Sequence, residues 1–238
     1  RTSFFVLIIL GIAALFSYSK FFEESLAKEK RQPLSLKHIL KGYLSCITHR
    51  RFLLFAMSSS MCVAVMMGFV TMGAFIFQHQ LGLTAIQYGW ISVVSAVSMP
   101  VGAYLTNRLV KRLGQFKLII VGGIIISTAA LAMLIIGLMG VINMWVILLP
   151  MSFIFAGMGF IFPTAFSIAF ADFGHIAGIA GAMYGGVQLL GAAIATGIAA
   201  HLPLENQVPM AGYLLGCGSI ILLAMFVSKS LSTAHSIP

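Results

Sequence analysis

The chain has 238 residues, 60% of them hydrophobic and 8% charged, with a mean hydropathy of +1.06. Soluble domains carry about 25% charged residues, so a water-soluble fold is excluded. The formal charge of +9 does not point to nucleic acid either, because the cations gather in loops between apolar runs. A closed β-barrel would show short alternating segments, and this chain shows long continuous ones.

A helix needs about 20 apolar residues to cross ~30 Å of hydrocarbon. Seven runs satisfy this: 3–22, 52–77, 85–106, 116–138, 144–170, 177–202 and 211–228. The expected fold is therefore an all-α membrane protein of seven transmembrane helices. The first run ends beside Lys20, which can snorkel to the interface.

Between the first two runs lies the long polar connection, 23–51. Within it Leu36, Ile39, Leu40, Tyr43, Leu44 and Ile47 recur with helical spacing. Ser35 stands at the N-cap position, and Lys37, His38 and Lys41 take the wet side. A basic amphipathic helix of this kind is expected in the membrane interface.

Thr84-Ala-Ile-Gln87 predicts a capping box at the start of the third run. That run leads into Gly102-Ala-Tyr-Leu-Thr-Asn107-Arg108-Leu-Val-Lys111-Arg112-Leu-Gly114, read as a tight basic loop opened and closed by glycine. Pro100, Pro150 and Pro163 lie inside runs, and the fifth, with Gly157 and Gly159 ahead of Pro163, is expected to bend. The sixth run is rich in glycine, with Gly181 and Gly185 spaced for small-xxx-small packing.

Charge along the chain predicts orientation. Lys28, Lys30, Arg31, Lys37, Lys41, Arg50 and Arg51 follow the first run, and Arg108, Lys111, Arg112 and Lys117 surround the turn after the third. The intervening connections 78–84, 139–143 and 203–210 hold no Lys or Arg, so the basic loops and the C-terminus are expected in the cytoplasm. The chain begins at Arg1, two residues before an apolar run, and reads as a piece whose beginning is missing. Cys46, Cys62 and Cys217 show no CxxC spacing and are expected to be buried, unreactive thiols.

The spacing from Gly102 through Asn107-Arg108 and Lys111-Arg112 to Gly114 resembles the signature loop of the major facilitator superfamily in its second-half copy, where Asn107 stands in place of the usual Asp. Further segments in order resemble the Bcr/CflA-type multidrug:proton antiporters of that superfamily: Phe22-Glu23-Glu24, Gln32-Pro33-Leu34, Gly42-Tyr43, Arg50-Arg51-Phe52, Phe75-Ile-Phe-Gln78, Leu81-Gly82-Leu83 and Ala177-Gly178 with Gly181-Ala182. The resemblance implies the sixth to twelfth helices of a twelve-helix transporter. Residues 1–22 would be the last helix of an absent N-terminal half, 23–51 a cytoplasmic linker, 52–228 the C-terminal six-helix bundle and 229–238 a cytoplasmic tail.

It further implies a bacterial inner-membrane exporter, monomeric at full length, working by alternating access on drug-like or small metabolite compounds in exchange for protons. The second and fifth runs would then face the substrate, with Met66, Phe69, Met72 and Phe77 on one and Phe153 and Phe160 on the other. Met adapts its shape to varied ligands. Tyr184 and Gln188 add an i, i+4 pair of hydrogen-bonding groups to an otherwise apolar helix. Gly102, Asn107, Arg108, Arg112 and Gly114 would gate the cytoplasmic side, with Asp172 paired to Arg108 or Arg112. No Asp or Glu lies within a run, so a proton-coupling carboxylate is expected in the absent half. Cofactors, metals, nucleic acid and enzymatic chemistry are not expected, since no Ser/His/Asp grouping, HExxH or phosphate loop occurs. The rival classes are a seven-helix receptor and a membrane scaffold that does not transport.

Overall fold

The computed structural model describes residues 2–21, 35–203 and 206–234. The chain divides into two units, Arg1–Ile39 and Leu40–Pro238. In the first, α1 (Thr2–Phe21) is a 20-residue helix, apolar on all sides, as a membrane helix must be. Near its end the Lys20 ammonium lies 5.5 Å above the Phe16 ring. Phe22–Glu24 and Gln32–Leu34, used above for the family resemblance, and Lys28, Lys30 and Arg31 lie outside the described residues.

α2 (Leu36–Thr48) begins where the Ser35 carbonyl accepts the His38 and Ile39 amides. Six helices long and apolar enough to span a membrane follow. α3 runs Arg50–Gly68 and continues through π-helical turns at Phe69–Gly73 and Ile76–Gln80. Next come α4 (Ala85–Leu113), α5 (Gln115–Leu138), α6 (Met144–Phe170), a 3₁₀ turn (Gly174–Ile176), α7 (Ala177–Ala200) and α8 (Val208–Ala234).

Local signals account for the helix starts. The Thr84 amide donates to Gln87 Oε1 at 2.9 Å while the Gln87 amide donates to Thr84 Oγ1 at 3.3 Å, which is the expected capping box. Asn143 caps α6 by accepting the Trp145 amide. His49 caps α3 through Nδ1, which accepts the Phe52 amide.

The expected basic loop is not a loop. α4 stays helical through Asn107, Arg108, Lys111 and Arg112 to Leu113, and Gly114 alone makes the turn, with φ +78°. No helix breaker stands between Gly102 and Gly114, and the left-handed turn requires a residue without Cβ. α6 is one continuous helix through Pro150 and Pro163.

A contact with α4 supports α6 at that point. Pro163 has no amide hydrogen, so the carbonyl four residues earlier, Gly159, loses its intrahelical donor. The buried Thr106 hydroxyl on α4 reaches that oxygen at 3.2 Å, shared with its own Gly102 carbonyl at 3.0 Å. The two backbones must nearly touch for this to happen. A Cβ on Gly102 would run into the Ala156 carbonyl, and one on Gly159 into the Met99 carbonyl.

α6 and α3 are the inner helices of the bundle. α6 packs on α4, α5 and α3, α3 packs on α6, α7 and α8, and α5 packs on α8. Every described Lys and Arg of this unit lies at the end of the bundle where α4 and α6 finish and α3, α5 and α7 begin. All three cysteines are free and buried.

Because Gly102 touches backbone and Gly89, on the same helix, faces open space, the two give a matched comparison. Gly102→Val should cost about 1–3 kcal/mol through overpacking, a drop of roughly 5 °C in the thermal midpoint of the detergent-solubilised protein. Gly89→Val should leave the midpoint within roughly 1 °C; equal effects would remove the α4–α6 crossing as a determinant of the fold.

Candidate functional site

α3 carries three consecutive buried serines, Ser58, Ser59 and Ser60. Hydroxyls in hydrocarbon need partners, and α7 supplies two of the three. Gln188 Nε2 donates to Ser59 Oγ at 2.7 Å, and Ser60 Oγ donates to the Gln188 carbonyl at 3.1 Å. Ser58 turns back to the Leu54 carbonyl at 2.8 Å.

The Tyr184 hydroxyl comes up beside Ser59 yet completes no hydrogen bond of normal geometry. Its ring sits in an aromatic cluster, 6.1 Å from Phe52, 5.5 Å from Phe166 and 5.6 Å from Phe170. Tyr184 and Gln188 are therefore brought together as a pair, but onto Ser59 of α3. The serine triplet was not singled out from the sequence, although three adjacent hydroxyls in a membrane helix are a readable signal.

Close packing on α7 lies at Gly191, six residues beyond Gly185. A Cβ on Gly191 would collide with Ser60 Oγ, whereas Gly185 faces open space and Gly181 meets only the Phe170 ring edge at 3.9 Å.

Most of the residues expected to line a substrate path are packed inside the bundle. Phe69, Met72, Phe77 and Phe160 are buried, and Phe69 packs edge-on against Phe155 at 5.6 Å and Phe77 at 6.5 Å. The reason is the position of α3: with α6, α7 and α8 around it, little of its circumference is free, and the stripe chosen by periodicity points inward. Met66 is half-buried. The Phe69 carbonyl, in the π-helical stretch, accepts a long hydrogen bond of 3.5 Å from Tyr88 of α4.

Phe153 behaves differently. It is 61% exposed on the open side of α6. With Val97, Ser98, Val101, Ser152 and Ala156 it lines a cavity of about 220 Å³ between α4 and α6. A second cavity of about 440 Å³, almost wholly apolar, lies among α3, α7 and α8, with Met57 and Met61 on α3 and Tyr213 and Cys217 on α8. The Tyr213 hydroxyl is turned away to the Ala64 carbonyl at 2.8 Å, so it offers the cavity its ring. The i, i+4 pair Met57 and Met61, not singled out from the sequence, is a readable signal for this second wall.

At the basic end Arg108 bonds through Nη2 to the Tyr104 hydroxyl, its guanidinium 5.0 Å above the Tyr104 ring. Asn107, Arg112 and Gly114 are exposed beside it. Asp172 pairs with neither Arg108 nor Arg112. Its carboxylate lies 3.9 Å from His49 Nε2, because Phe173 is buried between His49 and Phe52, at 5.2 and 5.1 Å, and carries the turn to that corner.

Ser59→Ala and Gln188→Ala should each destabilise the protein by about 1 kcal/mol, and the double variant by clearly less than their sum. A coupling indistinguishable from zero in the thermal midpoints would mean that this hydrogen bond does not join the helices.

A family model described as Major Facilitator Superfamily matches residues 1–196. Multidrug resistance protein D of Escherichia coli is 31% identical over 163 residues, which takes in 68% of this chain and 38% of that protein. Bicyclomycin resistance protein homolog of Haemophilus influenzae is 22% identical over 227 residues, taking in 95% of this chain and 57% of that protein. The chain thus spans less than two thirds of the length of either relative. With most of its residues inside the family match and six membrane-length helices in one bundle, the chain belongs to the Major Facilitator Superfamily.

Proposed function

We propose that this chain is the carboxy-terminal portion of a secondary active transporter that exports drug-like or small metabolite compounds by alternating access, in exchange for protons. The observation that carries the reading is the open α4–α6 face, where exposed Phe153 lines a cavity within the membrane span together with Ser98 and Ser152, whose hydroxyls also bond back to the Val94 and Leu148 carbonyls. An aromatic surface flanked by a few hydroxyls suits amphipathic organic molecules of varied shape. The names of the relatives, multidrug and bicyclomycin resistance, agree with it.

In this reading Phe153 contacts substrate, and Gln188, half-buried and held by Ser59, is a neutral hydrogen-bonding group of α7 that a substrate could engage. The basic end faces the cytoplasm of a bacterial cell, by the positive-inside rule, and places the C-terminus there too. Asp172 is the sole carboxylate among the described residues, and it lies in a turn outside the spans. A group that changes charge within the membrane is the simplest proton coupler, so the proposal puts it in sequence beyond this chain, which the relatives have room for. The protein would act as a monomer. At the end of α4, Asn107, Arg108 and Arg112 would lock the cytoplasmic side against the opposing half, with Tyr104 holding the Arg108 guanidinium in place.

The test is drug accumulation in an efflux-deficient bacterium expressing the protein from its gene, with and without a protonophore. Expression should lower accumulation of a lipophilic cationic dye, and the protonophore should restore it; protonophore-insensitive export would end the proton-exchange reading. Phe153→Ala should weaken apparent affinity about 10-fold, the loss of one aromatic contact of ~1.5 kcal/mol. Arg108→Ala should cut transport while abundance and topology stay constant, and normal export in that variant would remove the lock.

A further inference from the structure

The part of α2 that belongs to the bundle, from Leu40 onward, has three distinct faces. Gly42 and Cys46 are buried. A Cβ on Gly42 would come within 2.8 Å of Ile179 Cδ1, so the α2 backbone rests directly on the first turn of α7. Leu40, Leu44 and Ile47 form a second face, exposed at 60%, 62% and 48%. At 100° per residue this stripe lies roughly 140° around the helix from Gly42 and Cys46, so it points away from the bundle. Lys41, Ser45 and Thr48 make the third face, also exposed.

An apolar stripe fixed outward in this way requires a cover with hydrocarbon character. The charges around it specify the rest. Lys41, Arg50 and Arg51 are exposed on and just after α2, and Arg108, Lys111, Arg112 and Lys117 are exposed at the same end of the bundle. Against them stands one described carboxylate, Asp172, which is 3.9 Å from His49. Apolar residues on one side and, among the described residues, cations in excess of carboxylates on the next match the composition of helices that lie in an anionic membrane surface.

We propose that Leu40–Arg51 is a docking surface for the anionic phospholipids of the adjacent bilayer leaflet. Leu40, Leu44 and Ile47 enter the boundary of the acyl chains, and Lys41, Arg50 and Arg51 donate hydrogen bonds to headgroup phosphate oxygens. Since Gly42 rests on α7 and His49 caps α3, the docked helix fastens the basic ends of the two helices that carry Ser59 and Gln188. This inference does not depend on what the protein transports.

The experiment uses protein expressed from its gene and reconstituted in phosphatidylcholine bilayers with or without phosphatidylglycerol. Nitroxide labels are placed singly at Leu44→Cys and Ser45→Cys after replacing the three native cysteines. With phosphatidylglycerol, the label at 44 should be quenched by oxygen and shielded from a water-soluble nickel complex, and the label at 45 should show the reverse. In the wild-type protein, amide exchange of α2 should slow roughly fivefold or more on adding phosphatidylglycerol, and Lys41→Gln with Arg50→Gln and Arg51→Gln should abolish that slowing. Three results would overturn the proposal: equal nickel access at 44 and 45, shielding of 44 from both reagents (a protein cover, from another part of the chain or a partner), or wild-type exchange indifferent to phosphatidylglycerol.

Discussion

The bundle depends on the crossing of α4 and α6. Pro163 removes an amide from within a membrane helix, where the lost bond must be replaced by the protein itself. The cost of leaving Gly159 unsatisfied is met by one hydroxyl, Thr106, from the neighbouring helix. That hydroxyl reaches only because Gly102 and Gly159 let the two backbones come into contact. Three residue types thus solve a single problem: the proline creates an acceptor, the glycines remove the distance and the threonine supplies the donor. With α4 held so closely at its basic half, the cavity beneath Phe153 opens on the same helix pair, one to two turns away.

α3 and α7 meet by a different kind of contact. Two hydrogen bonds, from Gln188 to Ser59 and from Ser60 to the Gln188 carbonyl, join them at mid-span, and Gly191 allows the approach. Helices in lipid gain little from apolar burial, because the chains around them are equally apolar. Close backbones and exchanged hydrogen bonds therefore supply the specificity that a hydrophobic core gives a soluble protein. A pairing made by two bonds is also one that can shift as a unit, which suits a bundle proposed to rock against a partner half.

Much of the organisation is legible in the sequence. Six of the seven apolar runs correspond to membrane-length helices and the first to the shorter apolar helix α1, Thr84 and Gln87 form their capping box, the thiols are buried, and the spacing of Gly102, Arg108 and Gly114 leads to the right superfamily. Local features carry these outcomes, since run length, caps and glycine turns act through nearby backbone. The site was harder to read. Phe69 and Phe77 lie on a helical stripe of the α3 span with Met72 beside it, and Phe160 lies on a stripe of α6, yet all four face the bundle core. In a membrane helix both the inner and the outer face are apolar, so periodicity cannot say which is which.

The sequence by itself therefore determined that the chain is helical and spans a membrane, where its helices begin and which end collects its cations, because backbone satisfaction in lipid allows only helices or closed barrels and long continuous apolar runs leave helices. Only the tertiary structure decided that the motif after Gly102 is helix rather than loop, that Asp172 joins His49 rather than an arginine, that Phe153 alone among the expected phenylalanines lies open, and that Gly191 rather than Gly185 sets the α3–α7 distance. Each of these is a choice of neighbour among chemically similar residues, and neighbours are set by how helices cross, which no short-range pattern encodes.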